Sequence, residues 1–97
     1  MTRDQVITTL RAQESDLKRA GIRHVGLFGS TARGAAHPGD VDLLIAFDDA
    51  RRYTLLDYSR VQRQLTELLG ADVDLAFEPL QNERFRARVE RELVRAF

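Results

Sequence analysis

Three short segments rich in aliphatic and β-branched residues limit the folds open to this chain: Ile22 to Phe28 (IRHVGLF), Val41 to Phe47 (VDLLIAF) and Val73 to Phe77 (VDLAF). Apolar runs of this length, bounded by glycine, proline and polar residues, read as buried strands. The stretches between them carry helical signals instead. Thr2 and Gln5 fit a capping box, and Val6, Leu10 and Leu17 then lie near one helical face, interrupted by Gln13 and Glu14. Gly21 closes that helix where a left-handed residue is wanted. Gly29-Ser30 follows the first strand and leads into a short helical turn through Ala32 and Arg33, then a loop from Gly34 to Gly39 with Pro38-Gly39 as its turn signal. Asp48 to Arg52 is a polar connection, and Tyr58, Val61, Leu65 and Leu68 recur at helical spacing between about Thr54 and Leu69. Gly70 ends that helix, Pro79 stops the third strand, and Asn82 caps a last helix whose Phe85, Val89 and Leu93 share a face. The expected order is α-β-α-β-α-β-α. Four helices and three strands make an α/β domain over residues 1–97, a small mixed β-sheet flanked by helices.

With 97 residues, 43% apolar and 31% charged, the composition is that of one globular domain with little surplus core. Fifteen basic and fifteen acidic residues cancel, so bulk charge does not steer the chain toward nucleic acid or membrane. With no cysteine, disulfides and thiolate metal sites are excluded. No apolar run approaches the roughly 20 residues that span a bilayer, and Met1 to Gln5 lacks the apolar core of a signal peptide. A soluble, cytoplasmic protein is expected.

The chemistry is concentrated in Phe28-Gly29-Ser30-Thr31-Ala32-Arg33-Gly34 and the following Gly39-Asp40-Val41-Asp42-Leu43. Asp40 and Asp42 are two apart at the start of a strand, so their side chains share a face. Two adjacent carboxylates are costly unless a cation neutralises them, and hard oxygen ligands suit Mg²⁺ or Mn²⁺. Val73-Asp74-Leu75 repeats the Val41-Asp42-Leu43 pattern on another strand. If the two strands are neighbours, Asp74 joins the first pair, and three carboxylates can hold two metals about 4 Å apart for in-line phosphoryl displacement. Asp72 has the same parity and competes for that role. Asp74 is preferred because apolar neighbours on both sides place it inside the strand.

Gly29 and Ser30 supply the other half. A glycine between strand and helix lets backbone approach a ligand closely, helix-start N–H groups favour phosphate, and the Ser30 hydroxyl adds a donor. Arg33 follows Ser30 by one helical turn. It either faces the phosphates with Ser30 or is a surface arginine paired with a nearby acid.

A strand, Gly-Ser, nine residues from Thr31 to Gly39 and then Asp-x-Asp opening the next strand resembles the core motif of the polymerase-beta-like nucleotidyltransferase superfamily. The spelling Gly-Ser-x-Ala-Arg-Gly, Gly29 to Gly34, is similar to its smallest branch, the MNT-type minimal nucleotidyltransferases, over nearly the whole chain. In two respects the chain departs from that branch: the gap is one residue shorter than its commonest form, and Gly39 stands where a serine usually precedes Asp-x-Asp. The resemblance implies a nucleotidyltransferase fold and a Mg²⁺-dependent (or Mn²⁺-dependent) enzyme. Asp40, Asp42 and Asp74 would be catalytic and metal-binding, and Gly29, Ser30 and Arg33 would hold the NTP. It further implies ATP as the substrate and a hetero-oligomer with a HEPN-domain ribonuclease toxin. The chain would neutralise that toxin as an antitoxin by moving AMP to a hydroxyl, expected to be a tyrosine's. Two rival readings are a non-enzymatic antitoxin that binds and occludes its partner, and a small-molecule nucleotidyltransferase. The intact carboxylates argue against the first. The lack of room for an acceptor-binding domain argues against the second.

Other polar residues carry blander expectations. His37 is a loop residue more readily exposed than catalytic, and His24 has no evident partner. Tyr53 and Tyr58 are packing residues. The last helix mixes Arg84, Arg86, Arg88, Arg91 and Arg95 with Glu83, Glu90 and Glu92, as a solvated face does. Its apolar edge, ending in Val94 and Phe97, is the expected docking surface for the partner.

Overall fold

The computed structural model describes residues 1–35 and 40–97; His37 and the Pro38-Gly39 turn lie outside the described residues. The N-terminal helical stretch is two helices, α1 (Arg3–Ala12) and α2 (Glu14–Arg19), broken at Gln13. Thr2 and Gln5 form the expected capping box. Gln13 sits where the stripe of Val6 and Leu10 would continue. The break turns this polar residue out of the core while Leu17 on α2 stays buried. The three expected strands form with the expected bounds, β1 (Ile22–Phe28), β2 (Val41–Phe47) and β3 (Val73–Phe77). Between them lie α3 (Gly29–Ala32) and α4 (Leu55–Leu69). The latter is opened by Asp57, whose carboxylate accepts from the Thr54 N–H at 2.7 Å, and closed by Gly70 at φ +63°.

The C-terminus differs from expectation. The last helix, α5, runs from Glu83 to Glu92, and Leu93 leaves it in an extended conformation. Val94–Arg95 form a fourth strand, β4, antiparallel to β1 at Leu27 and Gly26. Side chains then alternate: Val94 and Ala96 enter the main core, while Leu93 packs on the other sheet face. The main-chain N–H of Ala96 donates to Val25 O at 2.9 Å, and Phe97 packs against the main core. Val94 and Phe97 are therefore part of the sheet and core, not an apolar docking edge of the helix. The run Leu93 to Phe97 is too short for period-two alternation to stand out from the helical spacing of Phe85, Val89 and Leu93.

The sheet order is β3-β2-β1-β4. β1 and β2 are antiparallel, whereas β2 and β3, joined through α4, are parallel. This is the mixed sheet expected. Its two faces are unequal. Val25, Leu27, Leu43, Ile45 and Val73 pack with Val6, Leu10 and Leu17 of α1 and α2 and with Val61, Leu65 and Leu69 of α4. On the other face, among the described residues, α5 alone lies on the sheet, through a small cluster of Phe28, Leu44 and Val89. Tyr53 and Tyr58 are packing residues, as expected: Tyr53 stacks on Phe47 with centroids 4.1 Å apart, and Tyr58 meets Phe77 at 4.6 Å.

Candidate active site

Strand direction gathers the site. β1 ends where β2 and β3 begin, so Gly29, Ser30, Asp40, Asp42 and Asp74 arrive at one end of the sheet. Asp42 is registered opposite Phe28 on one side and opposite Asp74 on the other. Adjacent strands are about 4.8 Å apart and registered residues share a face. The two carboxylates therefore stand side by side on the face that α5 partly covers. The pleat that sends Val41, Leu43 and Val73 into the main core sends Asp42 and Asp74 away from it.

Asp42 is half-buried, and its carboxyl is held above the usual carboxylate range. Burial is the main cause, then repulsion from Asp74 and Asp40, while Arg88 and Arg33 pull the other way. Asp40 is exposed just before β2. Asp72 lies outside β3, exposed, with its carbonyl accepting from Val41 N–H at 3.0 Å. Asp74 is the residue directly opposite Asp42. Among the described residues no three carboxylate or imidazole groups converge as a bound ion would draw them. The donor chemistry nevertheless fits a divalent cation, because two carboxylates share one face, and burial and then mutual repulsion outweigh Arg88 and Arg33 in disfavouring the ionised form of Asp42.

Gly29 sits directly against Asp42. It has φ +74°, and a Cβ built there would lie 2.1 Å from Asp42 Oδ2. Only glycine lets the backbone follow this path so close to the carboxylate. Ser30 is half-buried beside it. The Gly29 N–H donates to Glu92 Oε2 at 2.9 Å, and Arg33 Nη1 donates to Glu92 Oε1 at 2.9 Å. The Gly29 bond, with help from Arg33, holds the Glu92 carboxyl below its usual range. Arg33 is thus the arginine paired with a nearby acid, but that acid sits on the Gly29 N–H.

α5 delivers Glu92 and Arg88. Phe85 meets Phe28 edge-on at 5.7 Å, and the Arg88 guanidinium lies 5.3 Å from the Phe85 ring centroid. Arg84, Arg86 and Arg91 face solvent, as a mixed charge run does. The sequence reading missed the roles of Glu92 and Arg88. The available signal was spacing: Glu92 falls seven residues after Phe85 and three after Val89, on the buried stripe, where a carboxylate needs a partner. His24 has one after all, since an Arg95 guanidinium N–H donates to its Nδ1.

Comparison with known proteins identifies the family and the fold. Residues 10–96 match the nucleotidyltransferase domain family. Protein adenylyltransferase MntA of Thermococcus cleftensis is 33% identical over 97% of this chain and 95% of its own length. A solved structure of a candidate minimal nucleotidyltransferase is 39% identical with a TM-score of 0.77, covering 97% of this chain and 95% of that one. A tri-AMPylated HEPN toxin in complex with MNT antitoxin, from Shewanella oneidensis, has the fold at a TM-score of 0.59 and 16% identity, covering 89% of this chain and 70% of that one. Since the family match takes in every carboxylate and glycine of the site, and a relative aligns over almost the full length of both chains, this chain belongs to the nucleotidyltransferase domain family.

Proposed function

We propose that this chain is a Mg²⁺- or Mn²⁺-dependent protein adenylyltransferase that acts as an antitoxin, moving AMP from ATP to a tyrosine hydroxyl of a HEPN-domain ribonuclease toxin. The observation that carries the reading is the cross-strand pair Asp42–Asp74 with Gly29 packed against Asp42. A purely occluding antitoxin has no use for two repelling carboxylates beside a glycine turn. The similarity to a protein adenylyltransferase supports the donor, and the similarity to the HEPN–MNT assembly supports the partner. Among the described residues no helix is long and apolar enough to cross a membrane.

Asp40, Asp42 and Asp74 would hold the cation, which when bound supplies charge to neutralise the triphosphate and to lower the acceptor hydroxyl's pKa. The Gly29 N–H, the Ser30 hydroxyl and the Arg33 guanidinium orient the phosphates. Asp74, exposed on its strand, accepts a hydrogen bond from the acceptor hydroxyl and aligns its oxygen with the α-phosphorus. The new bond joins that oxygen to the α-phosphorus, the bond from the α-phosphorus to the bridging oxygen breaks, pyrophosphate leaves with the electron pair, and the hydroxyl proton passes to solvent by way of Asp74. The test is co-expression with the HEPN partner, followed by incubation with ATP and Mg²⁺ and intact-mass measurement. A gain of one or more AMP units on the partner, lost in Asp42→Asn, is expected. Tight binding with no mass gain under either metal would overturn the enzyme reading in favour of occlusion.

A further inference from the structure

The turn at Gly29 already holds an anion. The Glu92 carboxylate takes the Gly29 N–H through one oxygen and Arg33 through the other, both at 2.9 Å. Those are two of the donors that the nucleotidyltransferase reading assigns to the triphosphate. A carboxylate and a phosphate make the same demand on such donors, acceptance of charge-assisted hydrogen bonds. A backbone N–H has one hydrogen to give, so the two anions cannot both be served. They would also repel each other beside Asp42, whose Oδ2 lies against Gly29.

The setting of Glu92 confines any exchange to its side chain. Glu92 is the last residue of α5, and the chain passes through Leu93 directly into β4, so the backbone is anchored on both sides. The side chain is at the rim, 18% exposed, and its partner Arg33 is 57% exposed. Outward rotation of Glu92 releases the Gly29 N–H, and Arg33 is free to turn toward an incoming phosphate. Arg88, one turn before Glu92 on the same helix, acts electrostatically on both Glu92 and Asp42.

We propose that Glu92 is an internal placeholder for a nucleotide phosphate, so that ATP binds by displacing it from Gly29 and Arg33. The proposal rests on the nucleotidyltransferase reading above. The chain then keeps its phosphate donors satisfied and ordered when nucleotide is absent. In return, nucleotide affinity is reduced by the fraction of molecules in which Glu92 is in place.

The opposite role, in which Glu92 merely holds Gly29 and Arg33 in shape for catalysis, predicts the opposite sign, and this makes the test decisive. The full chain is titrated with AMP-PNP in Mg²⁺, and ATP turnover is measured on the HEPN partner. Glu92→Gln is expected to bind AMP-PNP about tenfold more tightly, equivalent to 1.4 kcal/mol, with a lower KM for ATP and an unchanged kcat. Equal or weaker binding, or a fall in kcat, overturns the placeholder while leaving the enzyme reading intact. A second measurement uses the unmutated protein, in case the variant misfolds. The Gly29 amide resonance of ¹⁵N-labelled protein must shift as AMP-PNP saturates, and an unmoved Gly29 amide at saturation also overturns the proposal. Absence of nucleotide binding by the unmutated protein and the variant alike, with Mg²⁺ and with Mn²⁺, would bring down both the placeholder and the nucleotidyltransferase reading.

Discussion

Replacing Gly29 by alanine separates the backbone requirement of the site from its chemistry. At φ +74° an L-residue costs roughly 1–2 kcal/mol relative to glycine. For a domain of this size each kcal/mol lowers Tm by about 4–8 °C, so a loss of roughly 5–15 °C is expected. The new Cβ would also lie 2.1 Å from Asp42 Oδ2 and 3.0 Å from its Cγ. The carboxylate is the end of a short side chain and can rotate away, so the clash adds little to the loss of stability. It does move the carboxylate by about 1 Å, and misplacement on that scale can cost about 100-fold in turnover. Gly70→Ala is the control. Gly70 has φ +63°, but a Cβ there meets nothing within 4 Å. It should lose a comparable amount of Tm and keep full turnover. The assays are thermal unfolding by circular dichroism and adenylyl transfer at saturating ATP below both melting temperatures. Near-normal turnover in Gly29→Ala, or equal loss in both variants, would refute the argument that Gly29 is there to admit Asp42.

Further outcomes follow from the same geometry. Asp42 has a folded-state pKa above its unfolded value, so its ionised form opposes folding from the unfolded pKa upward. Asp42→Asn should therefore melt higher than the parent at neutral pH, with the difference vanishing below the carboxylate range, while transfer is abolished. An Asn variant that melts lower at neutral pH would contradict the argument that burial and repulsion make ionised Asp42 unfavourable in the fold. Asp74→Asn should reduce turnover far more than AMP-PNP affinity, whereas Asp72→Asn, an exposed change, should stay within about 0.5 kcal/mol in stability and near normal in rate; a reversal would show that Asp72 is the third carboxylate. Deleting residues 93–97 removes β4 and the core contacts of Ala96 and Phe97, so it should lower the urea midpoint sharply. An unchanged midpoint would mean that β4 is dispensable.

What the sequence disclosed depended on the range of the interactions involved. Strands β1, β2 and β3 were legible to the residue because each is a dense apolar run with a punctuating glycine or polar residue. The site carboxylates were legible because Asp40 and Asp42 are linked by local parity, and because Val-Asp-Leu occurs twice. Whether those two copies face each other depends on a parallel pairing through α4, and nothing in the sequence sets that register. The break at Gln13 could be suspected from the interrupted stripe but not distinguished from a continuous helix. β4 and the Glu92 contact were out of reach for one reason. Both depend on residues 92–95 meeting residues 26–33, 59 or more positions away, and no local pattern encodes such a meeting.

The inequality of the two sheet faces has a consequence for motion. The helix layer on one face anchors many fully buried side chains, whereas α5 has one fully buried residue, Val89, against Phe28 and Leu44, with the half-buried Phe85 beside it and Glu92 hydrogen-bonded to Gly29 and Arg33 at its end. A fully buried side chain of this kind contributes about 1.5–3 kcal/mol, so an interface built on one of them, a half-buried aromatic and a terminal carboxylate is weaker than the main core. Detachment of α5 is therefore a sub-global opening, cheaper than unfolding of the sheet. Amide protons of α5 should exchange with solvent by this route well before those of β1 and β2. Each such opening would bare the strand ends that carry Asp42 and Asp74 while the rest of the domain stays folded.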